Sequence, residues 1–135
     1  MFIKKKWYTL LIFLFIFPSV CFSEKEYTDE EIVQAIWLSE GGSMAQYPYG
    51  IRSIRYEDRT DKSLSRKEWA RKICFNTVRN NRKRYADYGY KQFDTYLEFL
   101  QSRYCPTTGN LSKAEKELNG FWLKNVKSFL ERSVK

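Results

Sequence analysis

Three Ser/Thr-x-x-Glu tetrads read as helix starts in this chain: Thr28-Asp29-Glu30-Glu31, Ser65-Arg66-Lys67-Glu68 and Ser112-Lys113-Ala114-Glu115. In such a capping box the hydroxyl and the carboxylate each accept a hydrogen bond from the other residue's backbone N–H, satisfying donors that a helix start leaves free. Apolar residues at helical spacing follow each one. After Thr28 come Ile32, Ala35, Ile36 and Ser39; after Ser65 come Trp69, Ile73, Thr77 and Asn81, with Cys74 and Val78 beside them. After Ser112, Leu118, Phe121, Trp122, Asn125, Val126, Phe129 and Leu130 fill one broad face. Between these, Tyr85 to Tyr90 reads as an aromatic turn, Phe93, Tyr96, Leu97 and Leu100 as the stripe of a short third helix, and Cys105 to Asn110 as a loop. The chain is therefore expected to be mainly α-helical. Tyr49, Ile51, Ile54 and Tyr56 hint at extended chain, so an irregular or β-hairpin excursion is expected after the first helix.

Glu40 ends the first helical stripe, one turn beyond Ile36 and directly before Gly41-Gly42. Its position continues the line of Ile32 and Ile36, which directs it inward or along the edge of the core. A carboxyl group held against apolar walls loses hydration, and this raises its pKa from about 4.3 toward the range useful to a general acid. Gly41-Gly42 stop the helix, because glycine tolerates the left-handed backbone of a C-cap. The bland alternative is a solvated charge at a fraying helix end.

Residues 1–23 read as a secretory signal peptide. Lys4-Lys5-Lys6 precede an apolar run from Trp7 to Phe17, and Pro18 to Ser23 form a polar break with small residues at Cys21 and Ser23. The run is shorter than the roughly 20 residues of a membrane-spanning helix. An uncleaved anchor is the main rival, and the only membrane contact expected. A lipidated Cys21 is a lesser one, since Val20 is a poor fit before such a cysteine. Cleavage after Ser23 leaves residues 24–135 as one domain, exported to the periplasm or the extracellular space. Of the 24 lysines and arginines three lie in the leader and none of the 16 acids does, so the net charge falls from +8 to +5 on cleavage. That surplus favours anionic partners, which outside the cytosol are wall polymers or membrane surfaces more than nucleic acid.

Cys74 and Cys105 remain as an even pair, and in an oxidising compartment a disulfide between them is expected. Closing a loop of about 30 residues contributes roughly 3–4 kcal/mol in the chain-entropy model. Without histidine, the two cysteines do not make a zinc centre. No metal and no cofactor is expected.

The order of a capped helix ending in Glu, a glycine break, a glycine-containing excursion and then several helices resembles the lysozyme-like superfamily, and within it the soluble lytic transglycosylase-like domains. The resemblance is carried by Ala35-Ile36-Trp37-Leu38-Ser39-Glu40-Gly41-Gly42, Tyr49-Gly50-Ile51, the stretch Asn76 to Asn81, and Trp122-Leu123-Lys124-Asn125-Val126. The chain has Gly41 where those domains usually have Ser, and Gly50-Ile51-Arg52-Ser53 where they usually have Gly-Leu-Met-Gln. The resemblance implies a cleft enzyme that cuts the β-1,4 bond between N-acetylmuramic acid and N-acetylglucosamine in peptidoglycan, with Glu40 in the catalytic position. In the non-hydrolytic route one carboxyl group suffices and the product is a 1,6-anhydro sugar. A lysozyme-type hydrolase of the same bond needs a second carboxylate. Glu57, Asp58 and Asp61 are the candidates for it, against the simpler reading of a solvated loop.

Tyr47, Tyr49 and Tyr104 are candidates to hold sugar rings, since an aromatic face is flat and apolar. Tyr47 and Tyr49 lie near Glu40, and Tyr104 sits beside Cys105. Asn76 and Asn80, on one helical face, are candidates for an acetamido group; the alternative is that they face solvent. The expected partners are peptidoglycan glycan strands, with an envelope-spanning secretion complex as a further candidate. A wall-binding module without catalysis is the main alternative function. The basic run Arg79 to Tyr85 also suits phosphate, but export and the lack of a recognisable motif argue against nucleic acid.

Overall fold

The computed structural model describes residues 25–133; the leader expected at 1–23, with its Cys21, lies outside them. Capping boxes open each of the four α-helices among the described residues: α1 (Asp29–Ser39), α2 (Arg66–Asp87), α3 (Tyr96–Tyr104) and α4 (Lys113–Arg132). Three of these boxes are the ones read from the sequence. At their starts the N-cap N–H donates to the glutamate at 2.8 Å for Thr28, 2.9 Å for Ser65 and 2.8 Å for Ser112. The fourth joins Thr95 to Glu98 at 3.1 Å and sets the start of α3 after Phe93, which sequence periodicity had counted into that helix.

Helix α2 runs into the expected aromatic turn as far as Asp87, and the chain turns from Tyr88 onward. Tyr85 stays helical because its ring packs on Tyr96 and Phe99, with centroids 5.8 and 5.7 Å away. The break comes at Gly89, where a Cβ would lie 2.8 Å from Cδ2 of Phe99, so only glycine lets the aromatic ring approach the backbone this closely.

Helix α1 packs on α4 and α2, and α3 packs on α2 and on α4. The core is drawn from all four helices: Ile32 and Ile36, Cys74 and Val78, Leu100, and Val126 with Leu130 are all fully buried. Each large aliphatic side chain so buried contributes about 1.5–3 kcal/mol. The broad apolar face of α4 is only half used, since Trp122, Val126 and Leu130 point inward while Leu118 and Phe121 are exposed. On α2, Asn81 is buried and donates to the Thr77 carbonyl at 2.9 Å, so this polar residue is accommodated within its own helix.

The excursion between α1 and α2 contains no strand among the described residues. It turns through three 3₁₀ segments, Gly42–Met44, Pro48–Gly50 and Tyr56–Asp58, and is therefore irregular rather than a hairpin. Its alternating apolar residues do not pair with a second strand. Tyr49 enters the core and Tyr56 packs edge-on against Trp69 at 5.6 Å.

Candidate active site

Glu40 is the C-cap of α1, where its own N–H still donates to the Ile36 carbonyl at 3.0 Å. The side chain is half-buried under the returning excursion. A Cβ on Gly50 would come within 2.8 Å of both Cδ and Oε2 of Glu40, so the backbone at this position lies directly on the carboxyl group. Gly50 has φ +68° and its neighbour Tyr49 has φ +58°, a left-handed pair in which only Gly50 is free of the Cβ penalty. For Tyr49 that conformation costs roughly 1–2 kcal/mol. Two features hold it in place: its ring is buried, and its carbonyl accepts a short hydrogen bond from the Tyr104 hydroxyl.

Tyr104 in turn stacks on Trp122, with ring centroids 5.4 Å apart and planes at 25°. Residues from α1, the excursion, α3 and α4 thus meet at one carboxyl group. Burial pushes the pKa of Glu40 up; the indole N–H of Trp122 and then the positive charge of Arg52 act in the opposite direction. Trp122 is almost wholly buried, and its Nε1 makes no hydrogen bond of full geometry among the described residues. It is near enough to the Glu40 carboxyl for its N–H to lower the pKa of that group. A buried donor left open beside an acid favours the carboxylate once the proton has gone. The pair suits a group that gives up a proton and then takes one back.

The sequence candidates fare differently. Tyr49 presents no face to a ligand, because the ring proposed as a sugar platform is 3% exposed and belongs to the core. Tyr47 is exposed at the rim, with the Arg52 guanidinium 5.3 Å from its ring centroid. Tyr104 is half-buried and forms part of the wall of a groove that leads away from Gly50. Asn76 and Asn80 are exposed on α2, and the groove takes Thr77 from that helix in their stead. Glu57, Asp58 and Asp61 are all exposed. Glu57 lies 3.8 Å from Arg55 and from Arg66, while Asp61 accepts hydrogen bonds from Ser63. The charged side chain that acts on Glu40 is Arg52, not a second carboxylate.

The expected disulfide is absent: Cys74 and Cys105 are both free thiols. Cys74 is buried on α2 and receives the Tyr104 hydroxyl at 3.7 Å, so a tyrosine rather than the second cysteine occupies the space beside its sulfur. Burial pushes the Cys74 thiol up to about 12 and the Cys105 thiol up to about 11, which keeps both protonated at neutral pH. Burial likewise places the Tyr104 phenol well above the ordinary tyrosine range, so it acts as a donor. No group of His, Cys, Asp and Glu among the described residues is arranged to hold a metal ion.

The sequence places Trp122 in the core and gives Arg52 no role. Nothing in the local pattern indicates that an indole on the last helix faces the end of the first. No helix among the described residues is long and apolar enough to cross a membrane. Comparison with protein-family models, with curated proteins and with solved structures found no match.

Proposed function

We propose that this protein is an exported enzyme that cleaves the β-1,4 bond between N-acetylmuramic acid and N-acetylglucosamine in peptidoglycan. On this reading it acts in the manner of the soluble lytic transglycosylase-like domains of the lysozyme-like superfamily. The observation that carries the reading is a single carboxyl group, Glu40, half-buried and raised in pKa, capped by the Gly50 backbone and faced by the open Trp122 donor.

In the proposed reaction the neutral Glu40 gives its proton to the glycosidic oxygen as the bond from that oxygen to C1 of the muramyl sugar breaks. The resulting carboxylate, stabilised by Trp122 and Arg52, then removes the proton of the muramyl C6 hydroxyl. Oxygen O6 closes on C1, and Glu40 is neutral again. No water is consumed, and the products are a 1,6-anhydromuramyl end and a free N-acetylglucosamine 4-hydroxyl. A hydrolase instead places a second carboxylate about 5–5.5 Å away as nucleophile or about 6.5–9.5 Å away as base. The exposure of Glu57, Asp58 and Asp61, and their engagement within their own loop and with the start of α2, supports the single-carboxyl route.

Mass analysis of sugars released from purified peptidoglycan tests this. The expected product is one water lighter than a reducing muramyl sugar, and Glu40→Gln lowers its rate of formation by at least about 10²–10⁴-fold. Reducing ends as the main product point to the hydrolase. Full activity in Glu40→Gln, or binding without cleavage by the unmutated protein, overturns the proposal.

A further inference from the structure

Helix α2 ends in basic and aromatic side chains that the site at Glu40 does not use. Between Arg79 and Lys91 the chain carries five basic residues and one acid, Asp87. Arg82 is taken up by Asp29 and the Tyr27 carbonyl, but Lys83 and Arg84 are exposed in the last turns of the helix and Lys91 is exposed just beyond it. The carboxyl end of a helix favours cations by itself. Tyrosines left in the open have no such reason: Tyr88 is 46% exposed and Tyr90 56%, whereas Tyr85, one turn earlier, packs on Tyr96 and Phe99. Phe99 lies against the Gly89 backbone, and the rings on either side of that contact remain outside the core. The Lys91 ammonium stands 5.9 Å from the centre of the Tyr90 ring.

A tyrosine offers an apolar ring with a polar tip, and a lysine or arginine an apolar stem with a charged head. Together they suit the headgroup layer of a bilayer, and the surplus of positive charge matches an anionic leaflet. Position is the second observation. Lys25 is the first described residue, and with Tyr27 it lines the same cavity as Tyr85 and Ala86 at the end of α2. The leader expected at residues 1–23 therefore joins the domain at this end. Glu40 lies well away from it: its charge acts on the Cys74 thiol, and Tyr88 follows Cys74 by about four turns, roughly 20 Å along the axis of α2.

We propose that the end of α2, with Lys83, Arg84, Tyr88, Tyr90, Lys91 and the neighbouring Lys25, is a contact surface for anionic phospholipid headgroups. It holds the domain on a membrane while Glu40 stands clear of the lipid. This contact does not depend on the chemistry at Glu40.

Lysine acylation mapped by mass spectrometry tests it on the full chain mixed with vesicles, one set of phosphatidylglycerol and phosphatidylcholine and one of phosphatidylcholine alone. Attraction to an anionic surface is worth about a factor of five for each basic side chain near it. Lys83 and Lys91 are therefore expected to label about fivefold more slowly on the anionic vesicles, and about 0.5 M salt to remove the contrast. Lys113 and Lys116 are the internal control, exposed in the first turn of α4. That helix brings its last turns, at Phe129 and Ser133, beside Glu30 at the start of α1, so its first turn lies roughly 20–25 Å away, beyond the reach of a screened charge. Their labelling is expected to agree within about twofold on the two vesicle types. Arg84→Glu is expected to abolish the contrast at Lys83 and Lys91, and Lys116→Glu to leave it unchanged. Equal labelling of Lys83 and Lys91 on both vesicle types overturns the proposal, as does a contrast that survives Arg84→Glu. So does protection that extends equally to Lys113 and Lys116, which would mean attraction by bulk charge alone. Equal protection by soluble polyphosphate without vesicles also overturns it, assigning the face to a wall polymer instead of lipid.

Discussion

The two ends of α1 use polar groups in opposite ways. At its start, Arg82 reaches up from α2 and donates to Asp29 at 2.6 Å and to the Tyr27 carbonyl at 2.7 Å, with its guanidinium 4.5 Å from the centre of the Tyr96 ring. Every element of that cluster has its complement. At its end, Glu40 is pressed under Gly50, Tyr49 is held left-handed, and the Trp122 N–H stands open. The cavity beside Arg82 is the larger, about 370 Å³ against about 310 Å³ for the groove beside Gly50. Size therefore does not mark the proposed site. The amino-terminal end is satisfied; the carboxyl-terminal end keeps a strained backbone at Tyr49 and an indole N–H that lowers the pKa of a half-buried acid, the condition expected where a group must change protonation state.

Substitutions can break this contrast. Arg82→Ala should have the largest effect on stability, about 2–3 kcal/mol, because it leaves the partly buried Asp29 without its partner. For a domain of this size that lowers Tm by roughly 10–20 °C in a calorimetric melt, and a fall of only a few degrees would deny the cluster its structural role. Gly50→Ala should cost less in stability, about 1–2 kcal/mol for the left-handed backbone, yet abolish cleavage by driving a methyl group into the Glu40 carboxyl. If that variant melts lower but still releases sugars at the parental rate, Glu40 is not the group that does the chemistry.

The smallest change sharpens the comparison through pH. Because burial raises the Glu40 pKa in the folded state, the folded protein binds more protons than the unfolded chain once pH exceeds the ordinary carboxylate value of about 4.3. Stability is then lost as pH rises through the folded-state value, and it is fully present only below the unfolded one. Glu40→Gln removes that dependence. Its Tm should match the parent near pH 4 and exceed it increasingly toward neutral pH, as followed by thermal melts across a pH series. A variant less stable than the parent at neutral pH would mean that the carboxylate is welcome in its pocket, contrary to a raised pKa.

Helix starts were legible because a capping box is closed within a single turn: Thr28, Ser65 and Ser112 each find their glutamate in the local chain, whatever the rest of the molecule does. The box at Thr95 was open to the same reading, but the apolar Phe93 ahead of it suggested an earlier start. The reach of α2 through Tyr85 was not legible locally, because the Phe99 and Tyr96 rings that hold it there come from beyond the turn. The inward bias of Glu40 followed from its place one turn after Ile36. Tyr49 shows the limit of the same logic: proximity to Glu40 in sequence suggested a sugar platform, and core packing turned the ring away from solvent.

What the amino-acid sequence determined by itself is the helical class, three of the helix starts and the position of one acid at a helix end, since each depends on neighbours a few residues apart. Tertiary structure alone decided that Gly50 lies on that acid, that Trp122 faces it, that Tyr104 rather than Cys105 sits beside the Cys74 sulfur, and that Arg52 and Arg103 share a groove. The physical reason is that desolvation and charge act through space. The pKa of Glu40 is shifted by groups that only the folded excursion and the packed helices bring to it.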